Sequence, residues 1–348
     1  MKSSDAFDPQ FESRKRDHIR LALSEKNQAK GLTGLDLVRL RHEALPELNF
    51  SEVSLTTTFL NQMVPVPVYV NSMTAGHEQG KKLNQLMASV CGERGWVMGV
   101  GSQRRQLSQT SDSAADTEMQ LLKQQNPRTK FMGNLGLSQL IEQGPEVVQR
   151  LVDSVEAIAM IIHTNPLQES LQPEGTPQFK GGLQALEKLC KALSVPVVLK
   201  ETGCGFSSET VRKLQGIGIA ALDVSGLGGT HWGRIEGDRA DERSVQAKAA
   251  VTLQNWGLST VESLAGALEV KPSFEVWASG GVRTGLDAAK LIALGADAVG
   301  LAQPILAAAL QGEKALSDFM ELVEFELKTI LFCTGSRRVS DLRGKWML

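Results

Sequence analysis

The 348-residue sequence predicts an α/β chain folded as a (β/α)8 barrel, the TIM-barrel architecture, with an N-terminal extension and a long loop after the sixth strand. Three observations predict it. Eight short apolar segments alternate with helix-length stretches, and polar or glycine residues stand at the segment ends. The last unit, Val276 to Gln303, reads strand, glycine turn, helix, strand in under thirty residues.

The eight segments are Val66 to Asn71, Trp96 to Gly101, Lys130 to Asn134, Ala157 to His163, Pro196 to Lys200, Ala221 to Ser225, Glu275 to Ser279 and Ala298 to Leu301. Apolar runs of this kind suit parallel strands covered by helices. Barrels of this class place function at the carboxyl ends of their strands. Here those ends carry Ser72-Met73-Thr74, Ser102-Gln103-Arg104, Asn134, His163, Lys200, Ser225 and Gly280-Gly281. An open doubly wound sheet would present ligands in the same way, but no GxGxxG opens an early βα unit. The chain is expected to be one domain, with residues 1–62 an arm and extension and 63–348 the barrel.

In the last unit, Leu286, Ala289, Ala293 and Leu294 are expected on the apolar face of a helix, with Asp287 and Lys290 off that face. Gly280 and Gly281 lack Cβ atoms, so backbone N–H groups there can close on an anion in front of a helix N-terminus. The loops after strands 7 and 8 of such barrels often hold a phosphate. A plain tight turn is the other reading.

With 42% hydrophobic and 22% charged residues the chain can bury a core, and a net charge of -2 gives it no general attraction to nucleic acid or anionic membrane. Cys91, Cys190, Cys204 and Cys333 show no CxxC spacing, so neither a zinc site nor a disulfide framework is indicated. The N-terminal residues show no apolar signal region and no apolar run is long enough to span a bilayer, so a cytoplasmic protein is expected.

About thirty residues separate Ser225 from Trp256, too many for an ordinary βα loop. The glycines at 226, 228 and 229 and the embedded Trp232 favour a lid; disorder is the alternative. At His163-Thr164-Asn165-Pro166-Leu167-Gln168-Glu169 a strand runs into a polar loop. His163 and Asn165 would share a face, and Glu169 beside an amide suits a hard cation such as Mg2+. Lys200 closes an apolar strand and so needs a partner: a carboxylate, a phosphate or an electron-rich ring. Arg14-Lys15-Arg16 reads either as a solvated charge run or as an arm that clamps a polyphosphate. No Ser-His-Asp or Cys-His grouping has spacing suited to nucleophilic catalysis.

Together these segments resemble type 2 isopentenyl-diphosphate isomerase, a flavoenzyme on a (β/α)8 barrel. The match runs through RKRDHI from Arg14, NSMTAG from Asn71, GVGSQRRQ from Gly99, Asn134, HTNPLQE from His163, Lys200-Glu201, SGLGGTHW from Ser225 and the segment from Trp277 to Gln303. The last segment resembles several FMN-binding barrels. The RK arm, GSQR and the HxNxxQE spacing are more specific to this isomerase.

The resemblance implies FMN, NADPH as reductant and Mg2+, with interconversion of isopentenyl and dimethylallyl diphosphate by a 1,3-allylic proton shift in isoprenoid biosynthesis. It implies that reduced FMN, through N5, is acid and base, assisted by His163, Gln168 and Lys200. Arg14, Lys15, Ser102, Gln103, Arg104, Asn165 and Gln168 would meet substrate, and Glu169 would bind the metal. Ser72, Met73, Thr74, Ser102, Asn134, Lys200, Ser225, Thr230, Gly280, Gly281, Arg283, Ala302 and Gln303 would hold FMN. A homo-oligomer, tetramer or octamer, is also implied. Ala75 after Met73-Thr74 and His231 in GGTHW depart from the family's pattern at the expected pocket.

Two other classes compete. An FMN oxidoreductase of the 2-hydroxy-acid or inosinate type shares SGGVR-like loops but needs a base or nucleophile on the long loop, where His231 is the one histidine. A non-catalytic flavin or phosphate binder would not need so many convergent polar strand ends.

Overall fold

The computed structural model describes residues 17–73, 78–108 and 114–347. Its centre is an eight-stranded parallel sheet built from β1 (Val68–Val70), β2 (Val97–Gly99), β3 (Phe131–Gly136), β4 (Ala159–Thr164), β5 (Val197–Glu201), β6 (Ala221–Asp223), β7 (Glu275–Trp277) and β8 (Val299–Leu301). Each pairs in parallel with its sequence neighbour, and β8 returns to β1 through Val299↔Val68 to Leu301↔Val70. The ring closes between β7 and β8, where Ala278 N–H donates to Ala298 O (3.0 Å) and Gly300 N–H to Ala278 O (2.9 Å). The fold class is therefore the expected closed barrel. Every strand overlaps its expected segment, and β3, β4 and β5 run one or two residues further.

Alternation along the strands sorts the barrel. Tyr69, Val97, Met132, Ile161, Val198, Ala221, Trp277 and Ala298 form one buried apolar cluster inside the ring. Two residues further along each strand, on the same face by the period of two, stand Asn71, Gly99, Asn134, His163, Lys200, Asp223, Ser279 and Gly300. An apolar layer thus sits beneath a polar or side-chain-free layer at the carboxyl ends. The hairpin of Thr57–Phe59 and Gln62–Val64, which crosses the expected boundary at residue 62, adds Phe59 to the apolar layer. Its ring packs 5.2 Å from Trp277 and 6.4 Å from Tyr69.

Around the ring lie α1 (Glu78–Arg94), α2 (Ala114–Gln125), α3 (Leu137–Glu142), α4 (Pro145–Ser154), α5 (Pro166–Leu171), α6 (Gly182–Ala192) and α7 (Ser208–Lys213). They are followed by α8 (Trp232–Arg239), α9 (Val245–Thr252), α10 (Thr260–Glu269), α11 (Gly285–Leu294), α12 (Gln303–Gln311) and α13 (Glu313–Cys333). Thr284 and Asp287 form a capping box that starts α11, and Gly295 at φ +124° ends it.

The buried face of α11 includes the expected Ala289 and Ala293 but is wider and turned: Leu286 is 44% exposed, whereas Ala288, Leu291 and Ile292 are fully buried. The cause is α13: a Cβ at Gly285 would lie 2.6 Å from Glu326 Cβ, so α11 meets that helix through its glycine and turns Leu286 outward.

The long connection after β6 is helical, containing α8 and α9. Gly237 allows their close packing, since a Cβ there would stand 2.4 Å from Ala250 Cβ. No helix among the described residues is long and apolar enough to cross a membrane.

Candidate functional site

The polar layer opens into a cavity at the carboxyl ends of the strands. It is lined by Ser72, Met73, Ser102, Arg104, Asn134, His163, Gln168, Glu169, Lys200, Ser225, Thr230, Gly280, Gly281, Arg283, Ala302 and Gln303. Arg14, Lys15, Thr74 and the departure at Ala75 lie outside the described residues.

Two expected contact residues are placed differently. Gln103 does not line the cavity: its Oε1 accepts from Asn134 N–H (2.9 Å) and its Nε2 donates to Leu151 O (2.9 Å) and Gln106 Oε1 (2.9 Å). It pins the backbone between Ser102 and Arg104 to β3 and α4. Asn165 does not share the face of His163, because β4 ends at Thr164 and Asn165 becomes the N-cap of α5. Its Oδ1 accepts from Gln168 N–H (2.8 Å) and its Nδ2 donates to Thr202 O (3.0 Å). Pro166 follows at the first helical position, where its missing N–H costs nothing. The segment expected to be a polar loop is thus a capped helix start that projects Gln168 and Glu169 into the cavity.

On one wall, His163 Nδ1 is 2.9 Å from Asn134 Oδ1. Gln168 Nε2 donates to Glu236 Oε1 (3.1 Å), which also meets His18 Nε2 (3.0 Å). Burial acts to raise the Glu236 carboxyl, but hydrogen bonds and charge from His18 and Arg239 outweigh it and hold the group below the usual range. Glu169 Oε2 accepts from Thr176 N–H (2.6 Å). No cluster of three or more His, Cys, Asp or Glu able to hold a metal occurs among the described residues. Glu169 presents carboxylate oxygens at the cavity edge, the donor type that hard cations take.

The opposite wall is a cleft of glycines. Gly280 (φ +101°) and Gly281 (φ +78°) adopt the left-handed region, and Cβ atoms there would lie 2.1 Å from Gly226 O and 2.4 Å from Thr33 Cγ2. A Cβ on Gly229 would come within 2.6 Å of Gly281 N. Arg283 folds back to donate to Gly281 O (2.8 Å) and Gly228 O (3.1 Å). Burial lowers its guanidinium from the usual value. Beside this cleft, the N-cap of α12 is Ala302, which offers no side-chain cap, and Ala302, Gln303 and Pro304 line the cavity.

Lys200 forms the floor. It is 5% exposed, and its Nζ donates to Glu201 O (2.6 Å) and Ser225 Oγ (3.1 Å). Burial lowers its ammonium, while Asp223 and Glu201 act to raise it. The buried Asn71 Oδ1 and Ser72 Oγ have no partner among the described residues, and both residues line the cavity. A planar polar ligand would satisfy such atoms.

Residues 163–347, just over half of the chain, match the FMN-dependent dehydrogenase family. The isopentenyl-diphosphate delta-isomerase of Bdellovibrio bacteriovorus is 50% identical over 345 residues, covering 98% of this chain and 99% of its own. That of Legionella pneumophila is 50% identical over 336 residues, covering 97% of both. The chain belongs to the type 2, FMN-dependent isopentenyl-diphosphate delta-isomerases. It is an isomerase and a flavoprotein. Among solved structures, a flavocytochrome b2 variant with pyruvate bound matches with a TM-score of 0.70 at 18% identity, covering 96% of this chain and 82% of that one. Mandelate oxidase with benzoyl-formic acid gives 0.65 at 18%, covering 97% and 96%. At that identity the likeness to these two shows the shared fold alone.

In this isomerase chain His231, the second departure, is 1% exposed. Its Nδ1 accepts from Arg234 N–H (3.2 Å) as the N-cap of α8, which leaves Nε2–H to donate to Trp256 O (3.2 Å). Burial lowers its imidazolium. With both nitrogens engaged and no contact with the cavity, it is not placed as the base a hydroxy-acid oxidoreductase would need.

Several residues of the site escaped the sequence. Gln28, Gln139, Gln172 and Thr202 line the cavity, and Asp223 and Glu236 lie behind it at 0% exposure. An acid inside the apolar run Ala221 to Val224 was the available signal for Asp223; Glu236, in a polar helix, offered none.

Proposed function

We propose that the cavity holds FMN and a prenyl diphosphate, and that the chain interconverts isopentenyl and dimethylallyl diphosphate by a 1,3-allylic proton shift. The observation that carries this reading is the pairing, in one cavity, of a buried cation at Lys200 with the glycine cleft at Gly280-Gly281. Arg283, Ala302 and Gln303 complete the cleft as a flavin-phosphate site. Ser72, Met73, Ser102, Asn134, Ser225 and Thr230 surround the space left for the ring, and Lys200 supplies the positive charge that stabilises an anionic reduced ring. Reduced FMN, with NADPH as its reductant, supplies the acid and base for the allylic proton.

The protein's part is to bind, orient and exclude water. Glu169 binds Mg2+ at the diphosphate, and Ser102, Arg104, Arg14 and Lys15 take its remaining charge. Gln103 and Asn165 act as positioning residues for Ser102, Arg104 and Gln168. Gln168 and His163, each oriented by a second polar side chain, face the reacting allyl group, and Trp232 shields it from water.

The test is direct. Purified protein should be yellow and, once reduced by NADPH or light with Mg2+ present, should incorporate solvent deuterium into isopentenyl diphosphate. Flavin bleaching by a 2-hydroxy acid with no such exchange would transfer the chain to the oxidoreductase class.

A further inference from the structure

We propose that Asp223 is a positioning residue that ties the Lys200 ammonium to the glycine cleft, fixing both ends of the flavin site from beneath. The inference rests on the FMN reading above for its purpose, though not for its geometry.

Asp223 ends β6, is fully buried and does not line the cavity. Three donors converge on its carboxylate. Tyr69 OH reaches Oδ2 (2.7 Å), Ser225 N–H reaches Oδ1 (3.1 Å), and the Ser279 hydroxyl lies between both oxygens (2.8 and 2.9 Å). Lys200 Nζ stands 3.8 Å from Oδ2, an ion pair rather than a hydrogen bond.

The contacts with Lys200, Ser225 and Ser279 lead to the cavity, and that with Tyr69 roots Asp223 in the apolar layer. Ser225, a non-glycine residue at φ +39°, is held in that strained conformation by its N–H on Asp223 and by Gly203 N–H on its carbonyl (2.9 Å). Held so, its Oγ accepts from Lys200 (3.1 Å). Ser279 immediately precedes Gly280-Gly281, and its carbonyl accepts from Gly226 N–H (3.1 Å), whose residue packs against Gly280. One carboxylate therefore reaches the cation through charge and through Ser225, and the anion cleft through Ser279. A buried carboxylate is costly to desolvate, and here three hydrogen-bond donors and the Lys200 ammonium offset that cost.

The ionisable groups around Lys200 are Asp223, Glu201, His163 at the paired position of β4 and, through Asp223, Tyr69. Burial disfavours the ammonium and the two acids favour it, so loss of the Asp223 charge moves the Lys200 midpoint to lower pH.

The experiment uses the full-length apoprotein with 13Cε-labelled lysine, the Lys200 signal being identified by its loss in Lys200→Met. In Asp223→Asn the Lys200 midpoint should fall by about one pH unit or more, and the Kd for FMN should rise about tenfold or more. Ser279→Ala, which cuts the tie to the cleft and keeps the charge, should weaken FMN binding while leaving that midpoint in place. An unmoved midpoint in folded Asp223→Asn overturns the proposal.

Should Asp223→Asn not fold, the pair is read from its other member. Tyr69 is the chain's one tyrosine, so its ring signal is unambiguous. In Lys200→Met, Asp223 loses its cation, and the ring signal of Tyr69, hydrogen-bonded to the same Oδ2, should shift from its position in the unsubstituted protein. An unshifted Tyr69 signal overturns the proposal. If the unsubstituted apoprotein binds no FMN, the functional reading fails, and the Lys200 midpoint and the Tyr69 signal still decide the role of Asp223.

Discussion

Lys200 and Glu201 are neighbours on β5, both buried, and burial drives each toward its neutral form. For Glu201 burial wins, lifting the carboxyl to about 7 despite hydrogen bonds from Cys204 N–H and Gly205 N–H to Oε2 and the charge of Lys200. Its Oε1 has no partner among the described residues. A carboxyl raised in the folded state favours folding fully below its unfolded value, and that contribution disappears as pH rises through the folded one. Glu201 should thus make stability decline from about pH 4.5 to about 7. Glu201→Gln keeps an acceptor for the two N–H groups and removes the titration. Denaturant midpoints should show the variant gaining on the parent across that window; parallel curves would mean that Glu201 titrates normally. Glu169 is half-buried at the cavity edge. Glu169→Gln should raise the Mg2+ concentration needed for half-maximal turnover about tenfold or more, with FMN retained by absorbance. Unchanged metal dependence would remove Glu169 from its role.

The connection after β6 shows how an element can be hidden by its own chemistry. Its helices α8 and α9, WGRIEGDR and VQAKAAVT, carry no continuous apolar stripe, so length alone signalled something unusual. They are held by specific contacts instead: the Arg234 guanidinium donates to Gln254 O (2.7 Å), Lys26 O (3.0 Å) and Gln28 O (3.0 Å). The strands were legible because both faces of each are buried, so their composition is apolar throughout. Side-chain direction was not: Gln103 and Asn165 sit within motifs whose neighbours reach the cavity, and tertiary partners turn Gln103 away while the cap on α5 and Thr202 O turn Asn165 away. Asp223 and Glu236 gain their partners from residues 154 and 218 positions distant, which no local pattern displays. His231 tests the reading of this element. As an N-cap, His231→Ala should cost about 1 kcal/mol of stability, seen as a lower melting temperature, with kcat changed by roughly threefold or less. A kcat loss of roughly a hundredfold would give the imidazole a chemical role.

Across the molecule, the start of the described chain and the β6 excursion form one roof. Ala29 N–H donates to Gly229 O (2.8 Å), His231 N–H to Asn27 O (2.9 Å), and Asn27 Nδ2 to Asp238 Oδ2 (2.8 Å). His18 meets Glu236 and sets its ring edge-on to Trp232, 5.1 Å between centroids. The chain therefore reaches the mouth of the cavity at His18, three residues after Lys15 in sequence. With a net charge of -2 the protein has no general pull on a diphosphate, so local cations must supply the attraction. An ammonium on a diphosphate acts in substrate and transition state alike, because the diphosphate does not react; its loss is uniform binding lost, which raises KM and spares kcat. Lys15→Ala should therefore raise the KM for isopentenyl diphosphate about tenfold, equivalent to ~1.4 kcal/mol, with kcat and FMN affinity close to the parent. Initial rates against substrate concentration decide it. An unaltered KM would return the basic run to a solvated surface, and a fall in kcat alone would place Lys15 at the reacting carbons instead of the diphosphate.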